Sequence, residues 1–201
     1  MPEETVISLP PPHTTGGISV EQALLRRRSI REYRRDPLVL AEVSQLLWAA
    51  QGITDPAGYR TAPSAGAFHP LELHLVAGQV SDLPAGIYRY RPAGHQLSLT
   101  AAGDHRAELS HAALDQSCVR VAPAVLVFGA IDDRAAAKYG RRTAMYVHLE
   151  AGHAAQNILL QAFSLRLGAV PIAAFDDLRI KQVVGMLEKE RPVYLIPVGR
   201  V

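Results

Sequence analysis

The sequence holds a single cysteine, Cys118, in 201 residues. That excludes an internal disulfide and any cysteine-based zinc cluster. Net charge is also scarce. The 21 Lys and Arg against 19 Asp and Glu leave +2, too small an excess to make nucleic acid or an anionic membrane the main partner. No apolar run reaches membrane-spanning length. Neither G-x-x-x-x-G-K-[ST] nor G-x-G-x-x-G occurs, so a nucleotide-like ligand would have to be held by side chains and irregular backbone. The absence of a G-x-S-x-G elbow argues against a serine hydrolase. Residues 1–12 carry two early acids and Pro10, Pro11 and Pro12. With no basic start ahead of an apolar core, no secretory signal is expected, and the reading is a cytoplasmic protein with a reduced thiol.

What is present is an ordinary globular composition, 48% hydrophobic and 20% charged, with room for one domain. Residues 1–18 read as an extended lead-in and residues 19–201 as a single α+β domain. A helix is expected from the N-cap Ser19, and a second over Leu40–Gln51, where Val43, Leu46, Leu47 and Ala50 repeat at helical spacing before Gly52. Thr54 to Pro70 is a loop with three prolines and two glycines, long enough to suggest function. Leu71–Ala77 alternates like a half-buried strand. Gly86–Arg91 and Gln96–Thr100 flank the turn Pro92-Ala93-Gly94, and the apolar run Pro123–Ile131 predicts a strand buried on both faces. Helices are expected over Asp104–Gln116, Asp132–Tyr139, Arg142–Leu167 and Asp176–Leu187, and a last strand over Pro192–Val198. The long helix is apolar almost all round, which implies burial in a large core or at a subunit interface.

Candidate chemistry is sparse. Arg26, Arg27, Arg28, Ser29 and Arg31 form the densest charge cluster. Guanidinium groups and a serine hydroxyl suit a phosphate, yet basic residues at a helix end also suit solvent and the helix dipole, and the residues alone leave the two readings level. His148 and His153 stand five apart on the long helix, the wrong spacing for a two-histidine metal site, so no metal is expected. Cys118 reads as a packed small residue. Lys138-Tyr139 closes a short helix before Gly140, and composition alone assigns it no catalysis.

Four segments together resemble the FMN-dependent nitroreductase superfamily. These are Arg27-Arg28-Ser29-Ile30-Arg31-Glu32-Tyr33, Thr61-Ala62-Pro63-Ser64-Ala65-Gly66-Ala67, Glu150-Ala151-Gly152-His153-Ala154-Ala155-Gln156-Asn157, and Gly168-Ala169-Val170-Pro171 with Pro197-Val198-Gly199-Arg200. Leu46-Leu47-Trp48-Ala49-Ala50-Gln51-Gly52 and Gly86-Ile87-Tyr88-Arg89-Tyr90 are similar to the SagB-type, thiazoline-oxidase branch. The resemblance spans about Ser19 to Arg200. It implies a central mixed, mainly antiparallel sheet flanked by helices, in an intertwined homodimer with FMN at the subunit interface. It implies Arg27, Arg28 and Ser29 on the FMN phosphate and ribityl chain, and Arg31 at the N1–C2=O edge of the flavin. Pro63, Ser64, Ala65 and Gly66, from the other subunit, would line the ring. Ala169 and Val170 would place backbone near N5, Gly199 and Arg200 would close on the phosphate, and Gln156 and Asn157 are lesser candidates. Lys138 and Tyr139 match a proton-removing pair of azoline-oxidising relatives, where a lysine of lowered pKa serves as base. Ala65-Gly66-Ala67-Phe68-His69 stands where many nitroreductases carry an asparagine. The implied function is an FMN-dependent, ping-pong hydride transfer. The substrate would be an azoline in a modified peptide or, alternatively, a nitro compound or quinone reduced by NAD(P)H. A non-catalytic flavin-binding subunit of a peptide-modifying complex is a reading of another class.

Overall fold

In a computed structural model, which describes residues 5–201, the most apolar run becomes the central strand. Strand β7 (Ala124–Ala130) is buried along its whole length between β3 (Leu71–Ala77) and β9 (Arg191–Arg200). Around them lie β1 (Val6–Ser8), β5 (Gly86–Arg91), β6 (Gln96–Ala102) and β8 (Leu167–Ala169), in the order β1-β6-β5-β3-β7-β9-β8. Every neighbouring pair in this seven-stranded sheet is antiparallel. The sheet is therefore not mixed. Among the described residues, parallel pairing is confined to the two-residue strands β2 (Leu38–Val39) and β4 (Val80–Ser81) and to a lone bridge between Ser29 and Ala169.

The period-2 side-chain alternation sorts these strands onto two faces. Leu73, Leu75, Leu126, Phe128, Ile196 and Val198 pack with helices α2 (Leu40–Gln51) and α6 (Thr143–Ser164). Val76, Val125, Val127 and Leu195 face the opposite layer, built from α3 (Arg106–Ala112), α4 (Ser117–Val121) and α7 (Asp177–Val184). Cys118 is a packed residue of that second layer. The expected single helix over Asp104–Gln116 is instead the shorter α3, and α4 follows it. Leu114 and Asp115 take left-handed backbone conformations that interrupt the turn.

Strand β3 is not half-buried as its alternation suggests. All seven residues are buried, because its polar face is also covered and its charges are paired there. Glu72 accepts from Arg89 Nε and Nη2 at 2.9 and 2.7 Å and also pairs with Arg134. His74 Nε2 lies 2.6 Å from Glu190 Oε1, both residues being at least 97% buried. Burial alone would push the Glu190 carboxyl up. The bond and charge of His74, the Leu187 amide and Arg89 outweigh it and hold the group below its ordinary 4.5.

The remaining α-helices among the described residues are α1 (Val20–Arg26) and α5 (Asp133–Tyr139), and short 3-10 turns form at Ala65–Ala67 and Gly140–Arg142. Ser19 caps α1 by accepting from the Gln22 amide at 3.2 Å. The lead-in lies extended against α2, where Ser44 donates to the Pro10 carbonyl at 2.6 Å and the His13 amide donates to Gln45 at 2.8 Å. Its first four residues lie outside the described ones. Among the described residues no helix is long and apolar enough to cross a membrane, and no His, Cys, Asp and Glu side chains gather as metal ligands.

The stability that ionised Glu190 contributes is present in full above about pH 4.5 and is lost as pH falls through its depressed value. Glu190→Gln is expected to flatten the acid limb of a urea-midpoint profile taken from neutral to acidic pH. Identical slopes for variant and wild type would remove this pair from the acid response.

Candidate functional site

The arginine segment after α1 does not end in solvent. It crosses the sheet edge at β8–β9, where the Ile30 amide donates to the Ala169 carbonyl at 3.0 Å and the Arg34 amide to the Arg200 carbonyl at 2.9 Å. Two glycines make this crossing possible. Gly168 and Gly199 are cross-strand partners. A Cβ on Gly168 would lie 2.8 Å from Ile30 Cγ2, and one on Gly199 would lie 2.6 Å from Tyr33 Cγ. Tyr33 anchors the crossing through its hydroxyl, which is 2.9 Å from the Ile30 carbonyl and 3.1 Å from the Pro197 carbonyl. Burial pushes its phenol pKa well up.

This crossing presents Arg27, Ser29 and Arg31 at the surface, and the side chains of Arg27 and Arg31 have no hydrogen-bonding or ion-pair partner among the described residues. Other expected members of the site are engaged elsewhere. Arg28 donates to the Leu25 and Arg27 carbonyls at 3.0 and 2.7 Å, as a cap on α1. Arg200 makes a two-pronged pair with Glu42 at 2.9 and 3.0 Å and so ties the end of β9 to the start of α2. The Ala169 carbonyl is taken by Ile30, the Val170 amide lies 3.4 Å from the Pro197 carbonyl, and both residues are buried. Gly199, Arg200, Ala169 and Val170 thus build the platform under the arginine segment.

A second cluster forms at the other end of the sheet. The loop over residues 63–69 closes on itself, with the Ser64 hydroxyl accepting from the His69 amide at 2.9 Å. Gly66, Ala67 and His69 all have positive φ, at 62°, 56° and 46°. Two of these are non-glycine residues in a strained region, a state that persists where surrounding contacts enforce it. The contacts are visible. Asn157 donates to the Thr61 carbonyl at 3.1 Å, and Arg134 to the His69 carbonyl at 2.9 Å. Asn157 is therefore a brace for the loop. Tyr139 lies over Gly66, so close that a Cβ there would be 2.7 Å from its hydroxyl oxygen. It stacks edge-on against Phe68 and Tyr146, with centroids 6.0 and 4.7 Å apart. Lys138 is exposed, its ammonium 5.7 Å from the Phe68 ring centre and 5.6 Å from that of Tyr139. Pro63, Ser64, Ala65 and Gly66 and the pair Lys138, Tyr139 are thus brought together.

The two clusters are not together within one chain. The 63–69 loop and α5 adjoin the start of β9, since Leu71 pairs with Ala130 and Ala130 with Arg191. The arginine segment lies at Arg200. Strand rise separates the ends of the ten-residue β9 by about 30 Å. The sequence assigns no role to Arg60 and Arg134, nor to Glu150 within its motif segment, although Arg134 bonds the loop and Arg60 and Glu150 lie close to it. Glu150 is 97% buried and its Oε1 has no partner among the described residues. Burial raises its pKa against the pull of the nearby Ser64 hydroxyl and Arg60. The available signal was a long loop rich in proline and glycine, which marks a region but no individual residue.

Comparison with known proteins agrees with this architecture. Residues 24–200 match the model of the nitroreductase family. A Methanocaldococcus jannaschii protein named as a putative nitroreductase is 43% identical over 183 residues, covering 91% of each chain. The crystal structure of a putative nitroreductase from Ralstonia eutropha superposes with a TM-score of 0.85 at 32% identity, covering 98% of this chain and 89% of the other. The Escherichia coli microcin synthetase McbBCD complex shares the fold at 22% identity, with a TM-score of 0.74 over 94% of this chain and 75% of the other.

Gly199→Ala is expected to force the Tyr33 ring off the β8–β9 platform and to cost about 1–3 kcal/mol, the usual penalty of overpacking. Urea denaturation measures it, and wild-type stability in the variant would mean that the close approach does not exist.

Proposed function

The chain belongs to the nitroreductase family and is a flavin-dependent oxidoreductase of the nitroreductase type. From that premise we propose that it binds FMN in a cleft shared by two copies of itself. The observation that carries this reading is the separation of the two clusters. Unpaired guanidinium groups suit a phosphate and an electron-rich flavin edge, and the aromatic loop with Lys138 suits the face where a substrate reacts. At about 30 Å apart along β9, the two are beyond the reach of one FMN inside one chain. A two-fold dimer can bring the arginine end of one protomer to the loop end of its partner. The exposed apolar residues Met145 and Leu149 on α6, and Leu24 and Leu25 on α1, supply surface for such a partner.

The residues fit the group. Arg27 and Ser29 would hold the phosphate, because a guanidinium makes strong charge-assisted bonds to its oxygens. Arg31 would sit at the flavin edge that gains negative charge on reduction. Ala169, Val170, Gly199 and Arg200 would act by holding that segment flat. From the other protomer, Pro63, Ser64, Ala65 and Gly66 would line the ring. FMN would supply hydride exchange at N5, taken from one substrate and passed to the next in a ping-pong cycle. The Nζ of Lys138, beside Tyr139, would take the proton that leaves a substrate as its hydride departs. The seating of Lys138 and Tyr139 on the Gly66 loop favours the SagB-like reading, oxidation of an azoline in a modified peptide. The alternative is reduction of a nitro compound or quinone by NAD(P)H.

A flavin absorption spectrum of the purified protein, with FMN as the released flavin, is the first expected result. Arg27→Ala is expected to lose FMN roughly 10- to 100-fold more readily, as the loss of a charge-assisted bond implies. At FMN concentrations too low to load Arg27→Ala, this variant and Lys138→Ala, each inactive alone under those conditions, are expected to recover roughly a quarter of wild-type turnover when refolded together, since half the dimers then carry one intact site. No recovery from a mixture shown to contain mixed dimers would overturn the shared site. Turnover of NAD(P)H with a quinone, but none of an azoline peptide, would select the reductase reading.

A further inference from the structure

A cavity of about 370 Å³ lies behind the 63–69 loop. It takes no part in the proposed flavin contacts. Its polar lining includes Gln51, Arg60, His69 and Arg134. Three of these carry a buried nitrogen with no partner among the described residues: Gln51 Nε2, Arg60 Nε and His69 Nδ1. Gln51 is 99% buried. Its amide oxygen is already used, accepting from Arg60 Nη1 at 2.6 Å, so the free nitrogen is a donor. Arg60 Nε can only donate. Buried polar groups are almost always satisfied, and two orphan donors around one cavity, beside a His69 nitrogen that donates in one of its tautomers, mark a missing acceptor.

The charge points the same way. Glu72 also lines the cavity, but both its oxygens are committed, one to Arg89 and the other to Arg134. Arg60 has no such carboxylate bond among the described residues, and its guanidinium donates instead to the neutral amide of Gln51. Burial first, then Arg60 and Arg134, hold the His69 ring below its ordinary 6.5, as a positive interior would. Burial also raises the pKa of the nearby Glu150 carboxyl above its ordinary 4.5. The remaining wall is formed by Phe68, Leu71, Leu73, Pro92 and Tyr90, whose hydroxyl is 2.9 Å from His95 Nδ1, and is otherwise apolar. An inorganic anion would leave that wall unfilled, whereas an acid with an apolar body satisfies both halves.

We propose that this cavity is a binding site for an organic carboxylate, which Gln51, Arg60 and His69 hold by its oxygens while its body lies on the apolar wall. Phe68 is shared between this cavity and the Lys138–Tyr139 cluster. A carboxylate bound here would therefore anchor a substrate beside the reacting face, and this last step rests on the proposed function. The binding itself does not.

The test is calorimetric titration of the protein, carrying whatever flavin it retains, with benzoate, benzamide and sulfate. In parallel it is titrated with a short N-acetylated peptide ending in phenylalanine, as the free acid and as the amide. Benzoate is expected to bind and benzamide not, with a loss of roughly 10- to 100-fold in Arg60→Gln that Arg60→Lys partly restores. Should Arg60→Gln fail to fold, Gln51→Leu is expected to weaken benzoate in the same direction. Binding of the peptide acid but not its amide would identify the terminal carboxylate of a peptide as the source, and benzoate alone would identify a free small acid. Equal binding of acid and amide, sulfate binding as tight as benzoate, or no binding at about 10 mM would each overturn the proposal. Because the readout is heat of binding, a protein that takes up no added FMN but still binds benzoate would refute the flavin reading and leave this site standing.

Discussion

Strand β9 is the constraint on which the rest depends. Its ladder with β7 runs from Arg191 to Val198, and its far end pairs with β8 through Arg200. At one end, Arg191 grips Asp132 at 2.8 and 3.1 Å and fixes the start of α5 beside the 63–69 loop. At the other, Arg200 grips Glu42 and the glycine pair accepts the arginine segment. A paired strand is a stiff spacer, so the distance between the two clusters is set by backbone hydrogen bonds and not by side-chain choice. Helix α6, 22 residues and about 33 Å long, runs beside the sheet from the Tyr139 cluster to β8.

That geometry explains an oddity of the surface. A monomer that has already buried two apolar layers still exposes Met145 and Leu149 on its longest helix and Leu24 and Leu25 on its first. In the shared-cleft reading the same second copy that completes the cofactor site also covers this surface. Cofactor binding and dimer formation are then linked, since each favours the assembled form.

Charge is used differently at the two ends. At the arginine crossing Arg27 and Arg31 have no side-chain partner among the described residues, and in the proposed reading they meet a phosphate and a flavin edge. Behind the loop the charge is partly buried, with Glu72 shared by Arg89 and Arg134, and with Arg60 near Glu150 but bonded to the neutral amide of Gln51. Low-dielectric surroundings make such groups costly when unsatisfied, so orphan donors there carry more information than exposed arginines do.

Much of the fold was legible in the residues. The run Pro123–Ile131 and the long helix stand where periodicity puts them, because burial imposes a strict spacing. The antiparallel partners of β3, β7 and β9 were not legible, since pairing depends on distant segments. The burial of Glu72 and His74 was hidden for the same reason: their partners lie far away in sequence, at Arg134 and Glu190. For the site, resemblance of motifs named Arg27, Ser29, Gly66, Lys138 and Tyr139 and implied that the Gly66 loop serves the other subunit's site, but it did not say that Tyr139 seats on Gly66 within one chain. By itself the sequence determined element types, the apolar stripes and the family, all of which follow from local spacing and short motifs. Only the tertiary structure decided that Arg200 is spent on Glu42, that Gly199 makes room for Tyr33, and that Gln51, Arg60 and His69 surround one cavity. These depend on which remote backbones approach one another, and that is settled by packing and strand register.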